Sequence, residues 1–162
     1  MDADSREMLA LRGESWFQLN ICEKGKSGRP LFRPTYLGDK WPTVDYLVEA
    51  LGEGDRGAFF FVQVKSSENA NGGAIPVTVS DETMLRLRAV PAPVYVIGID
   101  DVTESGYILS ANGHRGPLRS VPRTFPLDID NRERLWREVV DFWHERTDLL
   151  PFTSVFQDPR TR

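Results

Sequence analysis

The stretch Ala58–Ser67, AFFFVQVKSS, decides how this chain is read. Phe59, Phe60, Phe61, Val62 and Val64 have the aromatic and β-branched character of a strand packed on a core. Gln63 and Lys65 then bring an amide and an ammonium to its far end. Side chains alternate between faces along a strand, so Phe61, Gln63 and Lys65 share one face and Phe60, Val62 and Val64 the other. Two residues advance about 6.6 Å, which lets the amide oxygen and the ammonium converge on one small site.

The run before it, TVDYLVEAL (Thr43–Leu51), is also β-prone, and the two are separated by the turn-like GEGDRG. That arrangement predicts an antiparallel hairpin with Asp45 on one arm and Lys65 on the other. Asp45, Leu47 and Glu49 share a face by the same alternation. With those faces aligned, Asp45, Gln63 and Lys65 surround a common point. A carboxylate, an amide oxygen and a nearby ammonium suit magnesium-assisted phosphodiester hydrolysis. Magnesium takes oxygen ligands and keeps several waters. The bound ion lowers the pKa of a water and polarises the phosphoryl group. A lysine beside that water orients it or stabilises charge developing on phosphate. Neither a serine nucleophile nor a thiol is required.

Glu14 on the expected first helix, Asp45 in TVDYLVE, and Gln63-Val64-Lys65 in FVQVKSS form an array that resembles the PD-(D/E)XK nuclease superfamily. The wording FVQVKSS, followed by a helix and PVYVIGID, resembles a bacterial branch of it, and the likeness spans roughly residues 8 to 145. The resemblance implies a restriction-endonuclease-like core and a Mg2+- or Mn2+-dependent endonuclease that hydrolyses DNA. It implies that Glu14, Asp45 and Gln63 hold the metal while Lys65 assists the attacking water. Compact nucleases of this kind act in defence against foreign DNA, with targeting supplied by partner subunits or by a homodimer. Gln63 departs from the superfamily pattern, in which many members carry Glu. A neutral amide is a weaker ligand and leaves more positive charge in the site. The alternative implication is a non-catalytic subunit of the same fold, acting as a nucleic-acid-binding or assembly module.

The remaining sequence predicts an α/β fold, with a central mixed β-sheet flanked by helices. A first helix is expected from Ser5 to about Cys22, with Met8, Leu11, Trp16 and Leu19 at helical spacing and Gly13 inside it at some cost. LFRPTYL is a short β run weakened by Pro34, and IPVTVS a brief strand. Ser80 or Asp81 can cap a helix through ETMLRLRAV, which Pro91 and Pro93 stop. VYVIGID reads as a buried strand and GYILSAN as its antiparallel neighbour. A last helix is expected from Asn131 to about Arg146, with capping-box spacing over Asp130–Glu133.

Composition narrows the function classes. The 162 residues, net charge −4, are of one-domain size, and the balance argues against a generally basic nucleic-acid coat. The single cysteine, Cys22, excludes an internal disulfide and a cysteine zinc site. No apolar stretch approaches a membrane span, and the acidic MDADSREMLA does not resemble a signal peptide. These features predict a cytoplasmic protein without a membrane partner and a single domain over 1–157 with a flexible tail over 158–162, a domain that the resemblance implies is nuclease-like. Phosphate-loop, HExxH, G-x-S-x-G and dinucleotide signatures are missing.

Each singled-out residue also has a plainer account. Gln63 and Lys65 can be the solvated end of a strand, Asp45 a turn residue near Thr43, and Glu14 an exposed helix side chain. Ser66 and Ser67 can end the strand or hold a phosphate. Arg86 and Arg88 can grip a nucleic-acid backbone or form a solvated helix face. The basic segment NGHRGPLRSVPR (112–123) can track phosphates or be a surface loop, and Asp100-Asp101 reads best as a turn.

Overall fold

A computed structural model describes residues 1–38, 41–52, 57–69 and 72–146. The opening stretch forms β3 (Phe59–Ser67), the middle strand of a five-stranded sheet. On one side it pairs antiparallel with β2 (Tyr46–Ala50), which pairs antiparallel with the edge strand β1 (Phe32–Tyr36). On the other it pairs parallel with β5 (Val94–Asp100), followed by the antiparallel β6 (Ser105–Ser110). The order is therefore β1-β2-β3-β5-β6, a mixed sheet. Pro34 sits in β1, where an edge strand tolerates a missing N–H. All seven residues of β5 are buried, because both faces of the sheet are covered.

One face carries α1 (Ala3–Ile21) and α3 (Ile129–His144), whose Phe17, Ile21, Leu135 and Val139 pack on Tyr46, Phe60, Val62, Ile97 and Ile99. The other carries α2 (Asp81–Ala89) and a small sheet of β4 (Ala74–Val79) with β7 (Leu118–Pro122). Their Ile75, Met84, Leu87 and Val121 pack on Phe61, Val94 and Val96. Helices thus flank the sheet, but on this second face a β-ribbon shares the cover with α2. The ribbon corrects the reading of 112–123 as a surface loop, since 118–122 form β7 and Leu118 and Val121 are buried core residues. Gly98 of β5 makes the ribbon's approach possible: a Cβ there would lie 2.7 Å from the Val121 Cβ.

Two helix expectations are also revised. In α1 the buried stripe is Leu9, Gly13, Phe17 and Ile21, a strict four-residue step. Met8, Leu11 and Leu19, which carry the apparent apolar periodicity, are exposed. α3 begins two residues before Asn131, because the Asp128 carboxylate caps it by accepting the Asn131 N–H at 2.9 Å. The capping-box expectation over Asp130–Glu133 therefore fails. Ser80 caps α2, accepting the Thr83 N–H at 3.1 Å. The expected tail over 158–162 and the boundary at 157 lie outside the described residues, as do residues 53–56 of the hairpin turn and 70–71 of the loop after β3. Among the described residues no helix is long and apolar enough to cross a membrane.

Gly13 is where α1 meets β3. A Cβ on Gly13 would stand 1.7 Å from the Ser66 Oγ and 3.0 Å from its Cβ. Turning the hydroxyl away removes the first clash and leaves the second. In a free helix, Gly to Ala gains about 1 kcal/mol. Gly13→Ala is expected instead to cost about 1–3 kcal/mol, the range of an overpacked contact. Ser66→Gly in the same chain should restore most of the loss, read as the midpoint of urea unfolding. A more stable single variant would refute the close helix–strand contact.

Candidate functional site

The β2–β3 ladder ends at Tyr46↔Val62, and Asp45, just before it, still bonds to Val62. Asp45 is pinned three ways. Its N–H donates to the Val62 carbonyl at 2.8 Å, and its own carbonyl accepts the Leu37 N–H at 2.8 Å. Its carboxylate Oδ2 accepts the Val64 N–H at 2.6 Å, taking the place of the next ladder bond. Leu47 pairs with Phe61 on the β-ribbon side, so Gln63 and Lys65 lie on that same face by alternation. The alternation does not carry to Asp45, which precedes β2 beside a Val44 that packs on the ribbon side.

The electrostatics of this corner are those of a sparsely compensated carboxylate. Burial pushes the Asp45 carboxyl above the usual aspartate range, while the Val64 N–H and the Lys65 ammonium pull it back only in part. Gln63 is 7% exposed and its Oε1 is enclosed with no hydrogen-bond partner. A buried amide oxygen without a donor costs free energy that a cation or a donor can recover. Lys65 is half-buried. The row thus presents a partly desolvated carboxylate, an unsatisfied amide oxygen and an ammonium side by side.

Glu14 approaches from the other layer. Its main-chain carbonyl accepts the Tyr46 Oη–H at 3.1 Å, and its side chain is half-buried on α1. The Tyr46 phenol is pushed well above the usual tyrosine range, first by burial and then by the charges of Glu14, Tyr36 and Asp45. Tyr46 therefore stays protonated between the two carboxylates. Sequence reading missed it. The available signal was its place directly after Asp45 in a β run, which turns it toward α1. Trp41 was missed as well: it is 47% exposed, and its ring lies 5.5 Å from that of Phe61.

The other singled-out residues are not drawn into this corner. The Ser66 Oγ is enclosed beneath Gly13, and Ser67 is buried with its Oγ accepting the Asn69 N–H at 3.2 Å. Arg86 is exposed and paired with Glu82 at 2.6 Å. Arg88 is half-buried and donates to the His114 carbonyl. Glu49 forms a two-pronged pair with Arg33 across the edge, at 2.8 and 3.0 Å. Asp100 closes a turn by accepting the Val102 and Thr103 N–H groups at 3.0 and 3.2 Å. It also receives Arg123 at 2.6 Å, and that guanidinium lies over the Tyr107 ring. Burial opposes the Asp100 charge, but Arg123 and the turn donors outweigh it and hold the carboxyl below the usual range.

Among the described residues no cluster of three or more His, Cys, Asp or Glu side chains could hold a metal ion. The oxygen donors at the corner are Asp45 and Gln63, and the enclosed Gln63 Oε1 is the feature that fits a cation. Such a sparse set suits an ion that keeps several waters and completes its shell with substrate phosphate. In comparison with known proteins, no family model matches the chain, and neither does a curated protein or a solved structure.

The raised carboxyl of Asp45 has a consequence for stability. An unfolded aspartate ionises near its ordinary pKa of about 3.9, whereas the buried one holds its proton to higher pH. Below the ordinary value both states are protonated and the penalty is absent. As pH rises through the folded value, the buried group ionises and stability is lost relative to a neutral residue. Asp45→Asn should therefore melt at a higher temperature than wild type at pH 7, by about 1–3 °C. The gap should close near pH 3, as followed by circular dichroism. A lower melting temperature for Asp45→Asn at pH 7 would contradict this account.

Proposed function

We propose that the chain is a metal-dependent nuclease that hydrolyses DNA phosphodiester bonds at the Asp45–Gln63–Lys65 corner. The observation that carries the reading is the corner itself: a pinned, desolvated carboxylate faces an unsatisfied amide oxygen, with Lys65 one strand step further on. The order of elements adds support. A helix, an antiparallel three-strand meander and a crossover through β4 and α2 to a parallel strand are compatible with a restriction-endonuclease-like core.

In this reading Asp45 and Gln63 supply the protein oxygens for Mg2+ or Mn2+, and Glu14 adds negative charge from behind Tyr46. The bound ion would supply a water of lowered pKa and a polarised phosphoryl oxygen. The residues of the chain do the rest. The Val64 N–H fixes the rotamer of Asp45. Lys65 lies near enough to Asp45 to favour its charge, and in this reading its ammonium orients the attacking water and offsets charge building on the phosphate. Tyr46, held protonated, keeps the two carboxylates apart without adding a third charge. The half-exposed Trp41 offers a face on which a base can stack. Neither cytoplasmic location nor a role in defence against foreign DNA enters the chemistry; the first rests on composition and the second on the family resemblance.

A second reading, the fold kept as a binding or assembly subunit, is favoured by one feature, the neutral amide at Gln63 in place of a carboxylate. The two separate on cleavage of plasmid, linear and single-stranded DNA with Mg2+ or Mn2+. Lys65→Ala should lower the rate at least about 100-fold. Gln63→Glu should tighten metal binding and retain or raise the rate. Mg2+ should raise the melting temperature of wild type and leave Asp45→Asn unmoved, as expected of a ligand that binds only the folded state. No cleavage by wild type or Gln63→Glu under any of these conditions, with no metal-dependent shift in melting, would leave the subunit reading. Equal cleavage by wild type and Lys65→Ala would remove Lys65 from the chemistry.

A further inference from the structure

Two features that stand apart in the sequence, the basic end of α2 and the basic segment after β6, meet in the fold. Arg88, Asn112, Gly113, His114, Arg115 and Gly116 line an open cleft of about 540 Å³. We propose that this cleft is a phosphate-binding site, separate from the Asp45–Lys65 corner and built by Arg88, His114 and Arg115.

Charge is the first argument. Two guanidinium groups line the cleft and no carboxylate does, in a chain whose net charge is −4. The second is preorganisation. Arg88 is half-buried and donates from NH1 to the His114 carbonyl, which ties helix and loop together. A guanidinium has five N–H donors in a rigid fork, and the others on Arg88 find no protein acceptor among the described residues. The loop is also set by the His114 N–H donating to the Ala111 carbonyl at 3.3 Å. The third is the His114 imidazole, which lines the same space. Finally, a Cβ at Gly113 or Gly116 would meet nothing within 4 Å, so an oxyanion can approach the backbone there. A fork, an imidazole and open backbone around one space suit a tetrahedral dianion better than a planar carboxylate.

The phosphate can come from a nucleic-acid backbone or from a free phosphate or mononucleotide. The backbone source rests on the nuclease reading; the site itself does not. The chain has two histidines, His114 in the cleft and His144 on α3, so their ring resonances separate the effect of binding from that of bulk salt. Titration with inorganic phosphate at constant ionic strength should shift the His114 ring signals saturably and leave those of His144 in place. Arg115→Ala, an exposed position whose loss should leave the fold intact by circular dichroism, should weaken that binding about tenfold. Lys65→Ala should leave it unchanged, so failure of the nuclease reading and failure of this one are distinguishable. Competition by a short DNA duplex would identify the backbone as the source, and competition by a mononucleotide alone would identify a free phosphate. Parallel, non-saturating shifts of both histidines, or unaltered phosphate binding by folded Arg115→Ala, would overturn the proposal.

Discussion

The bond from the Val64 N–H to the Asp45 carboxylate, 2.6 Å long, sets the corner on which the rest of the fold is arranged. The ladder between β2 and β3 could have run one residue further on backbone bonds alone. A side chain closes it instead, and the hairpin splays with a charged group held at the opening. Asp45 keeps its backbone bonded to Val62 on one side and Leu37 on the other, so the carboxylate cannot leave without loosening three strands. That rigidity is what gives Gln63 and Lys65 a fixed partner across the sheet.

The same strands must be covered on both faces, and close approach makes this possible at two glycines. Gly13 lets α1 settle onto Ser66, and Gly98 lets the β-ribbon settle onto β5. Each glycine gives up a side chain that helix or strand propensity would favour, in exchange for a layer that fits. With the centre of β3 sealed between these layers, polar groups survive only toward its end. At the far end of β5, Asp100 ties the ribbon down through Arg123 and Tyr107. A charge that is 1% exposed is tolerable there because the guanidinium and two backbone N–H groups meet it. Asp45 lacks that degree of compensation, and burial leaves its carboxyl above the usual range where that of Asp100 is held below it.

The cleft between α2 and the β6–β7 connection shows a different kind of assembly. Arg88 and His114 are 26 positions apart, on elements that the sequence does not bring together. Packing of Met84 and Leu87 against the ribbon brings the end of α2 to the loop, and the charges accumulate as a result. Their meeting is a product of core burial, since cations repel and would separate without it.

Strand alternation was legible from the chain. The sharp change in AFFFVQVKSS from aromatic to polar, and the TVDYLVEAL run before it, identify the hairpin and the shared face of Gln63 and Lys65, because a period of two needs no tertiary information. The alternation does not carry to Asp45, which lies outside β2. VYVIGID was equally plain as a buried strand, its apolar run being long enough to leave no alternative. Other features depended on contacts between distant segments. The exposed Met8, Leu11 and Leu19 imitate a core stripe in α1, while the true stripe includes a glycine that no hydropathy pattern counts as apolar surface. β7 was hidden in a basic, proline-bounded segment whose two inward residues become core only when β4 pairs with them. Tyr46, Trp41 and the Arg88–His114 cleft belong to the same class. Sequence by itself determined which residues alternate and where the polar end of the core strand falls, since both follow from local backbone geometry. Only the tertiary structure decided which of those polar groups stay unsatisfied, because that depends on which donors the other layers bring within reach.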